Sequence, residues 1–125
     1  NLNNFVDNYG FQLSGGERRR CEIARALTVG RKGPKYLLLD EPFAGIDPLA
    51  VNDLKKLILK LSTGGVGILI TDHNVRETLL ITNKSYVLSE GKILAYGSSS
   101  ELADNPIVKK YYLGNDFKLW NHFAK

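Results

Sequence analysis

Two short apolar runs with a helical pattern between them constrain the fold of this chain more than any other feature. Tyr36-Leu-Leu-Leu39 and Gly67-Ile-Leu-Ile-Thr71 are continuous rather than alternating, as expected of strands buried on both faces of a sheet. Asp47-Pro48 opens the segment between them with an N-cap and a first-turn proline. Leu54, Leu57, Ile58 and Leu61 continue it at helical spacing, and residues 62–65 close it. Upstream, residues 16–27 read as an amphipathic helix with Cys21, Ala24 and Leu27 on its apolar side, broken by the glycines of residues 30–34. Downstream, a helix over about 74–81 precedes strands 84–89 and 92–96, which flank Glu90-Gly91 as a hairpin turn. Two short helices, 100–103 and 106–113, follow, and residues 1–12 are less regular. The alternation predicts an α/β architecture with a mostly parallel sheet and flanking helices.

The chain's 125 residues are enough for one domain with a modest core. Its net charge of +4 includes the run Arg18-Arg19-Arg20 but is not gathered into a basic block with interleaved aromatics. A solvated basic face is expected, and no nucleic-acid partner. The single Cys21 cannot form an internal disulfide, and is expected to be a small buried residue in a reducing compartment. No apolar run approaches the roughly 18 residues that cross a bilayer, and no segment has a signal-peptide layout, so membrane contact is expected only through partners. The chain opens on Asn1 and contains no Met, as a piece of a longer protein would.

Three segments carry chemistry. Leu13-Ser14-Gly15-Gly16-Glu17 opens the first helix, where unpaired N–H groups and the positive dipole end converge and two glycines let a phosphate approach the backbone. Asp40-Glu41-Pro42 ends the first strand, at the edge where open α/β sheets bind ligands, with the two carboxylates projecting to opposite sides. Pro42 biases Glu41 towards an extended backbone. His73 follows the second strand after Thr71-Asp72. Each has a plainer reading: an N-cap with a flexible entry, an acidic turn, a loop histidine. Their order and short spacing favour the functional ones.

In that order the segments resemble the ABC ATPase family, over residues 11–119, through its signature and Walker B motifs. The resemblance implies a P-loop NTPase-like fold and the cofactors ATP and Mg2+. It implies that Leu13, Ser14, Gly15, Gly16 and Glu17 close over the γ-phosphate held by a second copy of the subunit. Asp40 would orient the magnesium ion through its water shell, Glu41 would act as general base, and His73 would contact the γ-phosphate. Residues 43–47 would be the D-loop crossing the dimer interface, with Asp47 serving there and as N-cap. No Gly-x-x-x-x-Gly-Lys-Ser/Thr occurs. The chain is therefore expected to be a truncated fragment lacking the N-terminal Walker A half and inactive alone, with residues 1–30 ending a helical subdomain and 31–125 running from Walker B to the C-terminus.

Residues 13–20, 40–47, 71–78 and 112–119 look most like the branch of the family that powers lipopolysaccharide export, a branch that also carries Glu17 in place of the commoner Gln. Transmembrane permease subunits and a position on the cytoplasmic face of the inner membrane are implied. Residues 30–33 lengthen the connection to Walker B and 120–125 extend past the usual end; His122 is given no role. The alternatives are the ATP-binding subunit of a branched-chain amino acid importer, a soluble ABC protein of translation or DNA repair, and a non-catalytic interaction fragment. Without its upstream half the strand at 36–39 would present a bare edge, which predicts an exchanged dimer or a poorly soluble monomer.

Overall fold

The computed structural model describes residues 7–30, 32–114 and 116. The expectations for residues 1–6, for His122 and for the extension at 120–125 lie outside them. The chain divides into two compact units, one ending at His73 and the other beginning at Asn74.

In the first unit, a 3-10 turn at Gly10–Gln12 leads into helix α1, Gly15–Leu27, followed by strand β1, Tyr36–Asp40, helix α2, Pro48–Thr63, and strand β2, Gly67–Thr71. β1 and β2 pair in parallel, Tyr36 opposite Gly67 through to Asp40 opposite Thr71. The α2 boundary follows its signals: Asp47 caps it by accepting from the Ala50 N–H at 2.9 Å, and Pro48 occupies the first turn. Its buried face is Val51, Leu54, Lys55 and Ile58. Lys55 is 3% exposed, its methylene stem standing where an apolar side chain would.

Two expectations fail here. The strands are not buried on both faces: Leu37 is buried, whereas Leu38 is 71% and Leu69 61% exposed. Residues Arg19, Ile23 and Ala26 of α1 line a recess with Leu37, Leu38 and Leu39, yet Tyr36, Leu38 and Leu69 are left largely open to solvent. Cys21 is likewise exposed rather than buried. The packed side of α1 runs through Gly16 and Ile23, which puts Cys21 two residues off that stripe and on the solvent face.

The second unit begins with helix α3, Val75–Leu79, capped by the Asn74 side chain. Strands β3, Lys84–Ser89, and β4, Lys92–Ser98, form the antiparallel hairpin. Glu90 at φ 49 and Gly91 at φ 73 make its two-residue turn, which needs positive φ at both positions. Helix α4, Ser99–Asp104, a single turn α5, Pro106–Val108, and a π-helical turn at Lys109–Leu113 complete it. Leu79, Val87, Leu102, Val108 and Leu113 form its core, with Val75 and Ala95 packed against them. Val87 and Ala95 face inward, while Tyr86 and Tyr96 pair across the outer face with ring centroids 5.9 Å apart. Arg76 Nη2 donates to the Leu113 carbonyl at 2.8 Å, tying α3 to the end of the π-helical turn.

Candidate active site

Parallel pairing in register places the last residues of β1 and β2 side by side, and the site is built on that edge. Thr71 Oγ1 donates a hydrogen bond to Asp40 Oδ1, fixing one oxygen of that carboxylate. The Glu41 N–H still follows the ladder, donating to the Thr71 carbonyl at 2.7 Å. Beyond it the chain turns sharply. Glu41 stands at φ 45, on the left-handed side that non-glycine residues seldom occupy, and not in the extended conformation expected before Pro42. Such a position costs on the order of 1–3 kcal/mol and persists only where neighbours over-determine it. Here they do: the Glu41 carbonyl accepts from the Ala44 N–H at 3.2 Å and from Arg19 Nη2 at 3.4 Å, besides the bond at its own N–H.

That turn brings Glu41 Oε1 to 3.4 Å from His73 Nδ1. Both side chains are open to solvent, His73 at 71% and Glu41 at 53%, so the pair can meet a ligand. The side chain of Asp72 is fully buried, and its Oδ1 lies 3.9 Å from His73 Nδ1. Its other oxygen, Oδ2, accepts the Phe43 N–H at 3.1 Å.

Ser14 caps α1 through a reciprocal box: its Oγ accepts the Glu17 N–H at 3.3 Å, and Glu17 Oε2 accepts the Ser14 N–H at 2.8 Å. These contacts, the backbone N–H first and then the Ser14 hydroxyl, hold the Glu17 carboxyl below its ordinary range, with Arg20 adding a smaller pull. The two glycines have a packing reason beside the one read from sequence. A Cβ on Gly15 would sit 3.0 Å from Ile46 Cγ2 and 3.2 Å from the Gly45 carbonyl; one on Gly16 would sit 2.5 Å from Ala50 Cβ. The helix start is thus pressed against residues 45–50.

Asp40, Glu41 and His73 are brought together at one sheet edge. The Leu13–Glu17 segment reaches that edge indirectly, through Arg19 and through Gly15 against Gly45 and Ile46. Asp47 is seen as the cap of α2. Sequence reasoning missed Arg19, Thr71 and Asp72. The signal for Asp72 was there: it keeps the parity of Ile68 and Ile70, the less exposed side of β2, so a carboxylate falls on the covered side of a strand end.

An ABC transporter family model matches residues 1–44. The lipopolysaccharide export system ATP-binding protein LptB of Haemophilus influenzae is 53% identical over 119 residues, 95% of this chain and 48% of the relative. LptB of Escherichia coli K12 is 53% identical over 113 residues, 90% of the chain and 46% of the relative. The chain therefore spans about half the length of the curated relatives it matches. Among solved structures, the ADP conformation of MJ1267, an ATP-binding cassette of an ABC transporter, superposes with TM-score 0.77 at 32% identity, covering 90% of this chain and 45% of that one. The cbiO1 subunit of Clostridium perfringens, part of the ABC transporter complex cbiONQ, gives TM-score 0.72 at 30% identity over 90% of this chain and 45% of that one.

Proposed function

The chain belongs to the ABC transporter ATP-binding family, and on that footing we propose that it is the C-terminal half of a subunit that hydrolyses ATP to drive lipopolysaccharide out of the inner membrane. The reading rests on one observation above the others, the Glu41 carboxylate 3.4 Å from the His73 imidazole at the C-terminal edge of a parallel strand pair. Glu41 accepts the proton of the attacking water, and its exposure gives that water access. His73 holds Glu41 and the terminal phosphoryl group in one line.

Asp40 fits a magnesium ion in a limited way. Thr71 occupies one of its oxygens, and no group of three or more His, Cys, Asp or Glu among the described residues forms a metal cage. This suits an ion held chiefly by nucleotide phosphates and water. When bound, the ion would neutralise charge on the phosphates. At the start of α1 the Glu17 N–H is taken by Ser14 Oγ, which leaves the N–H groups of Gly15 and Gly16 to meet the nucleotide of a second copy. Residues 43–47, with Asp47, lie in the loop that would cross to that copy.

The transport role is supported by relatives named for lipopolysaccharide export. No helix among the described residues is long and apolar enough to cross a membrane; docking on transmembrane partners at the cytoplasmic face belongs to the same proposal. In the full-length subunit assembled with those partners, Glu41→Gln is expected to lower kcat by on the order of 10²- to 10⁴-fold, with ATP still bound and lipopolysaccharide release halted. Turnover at the wild-type rate in that variant would overthrow the reading.

A further inference from the structure

We propose that Asp72 is a positioning residue that locks Glu41 and His73 into one frame. The argument begins with Pro42, which has no N–H; the first donor after Glu41 is therefore that of Phe43. Asp72 Oδ2 accepts it at 3.1 Å. On the other side of Glu41, its own N–H is held by the Thr71 carbonyl at 2.7 Å. Glu41 is therefore clamped before and after by two consecutive residues of the other strand end, and the next residue along is His73. The Phe43 N–H to Asp72 bond closes a ring that runs Glu41, Pro42, Phe43, Asp72, His73 and back across the 3.4 Å contact.

Burial makes this bond hard to replace. The Asp72 side chain is fully inaccessible, and Phe43 is 5% exposed, so water cannot readily take over either group. The left-handed turn at Glu41 needs such restraint, because released it would relax towards a commoner conformation and swing the carboxylate away from His73. The role belongs to the acceptor oxygen at Oδ2; the second oxygen lies 3.9 Å from His73 Nδ1.

This inference rests on the reading of Glu41 as the base, and the two can fail separately. Glu41→Gln tests the base; Asp72 is tested in the full-length subunit with its partners, by kcat and KM for ATP together. Asp72→Ala is expected to lower kcat by on the order of 10- to 100-fold while leaving KM within about two-fold, since displacement of a reacting group costs rate rather than nucleotide binding. Asp72→Asn, which keeps an oxygen acceptor in the same place, is expected to recover most of that loss. Should Asp72→Ala not fold, Asp72→Ser, whose hydroxyl is too short to reach Phe43, carries the same test. Full kcat in the Ala or Ser variant overturns the proposal. So does an Asn variant as slow as Ala, a KM that rises in step with the fall in kcat, or loss of folding in both Ala and Ser, which would make Asp72 a strut and nothing more.

Discussion

At the scale of single residues, the site is held by contacts that leave little room for an added atom. Gly16 shows this most directly, because a Cβ there would lie 2.5 Å from Ala50 Cβ, inside any real carbon contact. Gly16→Ala is expected to destabilise the chain by about 1–3 kcal/mol, an overpacking penalty read by urea denaturation. Gly10, with nothing within 4 Å of its Cβ position, is the control and should tolerate alanine. The acidic partners of two capping boxes make a second prediction. Glu17 and Glu101 are both held below the ordinary carboxylate value of 4.5, each by the backbone N–H of its cap serine first and the serine hydroxyl second. A carboxyl whose folded pKa is depressed adds stability above its unfolded value and loses it as pH falls through the folded one. Thermal melts should therefore decline as pH drops below 4.5, and Glu17→Gln with Glu101→Gln should flatten that limb. An unchanged slope would show that the boxes do not carry it.

At the scale of elements, what was legible in the sequence was whatever local chemistry decides. Asp47-Pro48 named the start of α2, Ser14 the start of α1, and Glu90-Gly91 the hairpin turn, because each residue's own conformational preference is the cause. Asp40, Glu41 and His73 were legible as a group from their positions at two strand ends, and pairing in register brings them together. What depends on neighbours distant in sequence was not. The exposure of Cys21 follows from which side of α1 meets α2. Glu41 at φ 45 follows from three hydrogen bonds, two of them to Thr71 and Arg19, that override the extended bias of a residue before proline. Asp72 was hidden because a carboxylate beside a histidine reads as a loop residue until its burial is known.

At the scale of the whole molecule, apolar surface is left in water. Tyr36, Leu38 and Leu69 are exposed on the parallel pair, and Tyr86, Leu88 and Tyr96 on the hairpin. A two-stranded sheet with one uncovered face is marginal by itself, and contiguous exposed apolar side chains promote association. The isolated 125-residue chain is expected to self-associate with rising concentration, as the bare strand edge already suggested. Leu38→Lys with Leu69→Lys should reduce that association in light scattering. A wild-type chain that stays monomeric at high concentration would refute the expectation.

The ring that joins Glu41 to His73 also bears on where the chain can tolerate a change of length. Gly30 and Gly33, both at positive φ, turn the connection between α1 and β1, and a Cβ at Gly30 would meet nothing within 4 Å. Codons gained or lost there are expected to leave the edge that carries Glu41 and His73 in place. Between Glu41 and Phe43 a single inserted codon would carry the amide away from Asp72, so gene-length drift is expected to collect in the first place and be purged from the second.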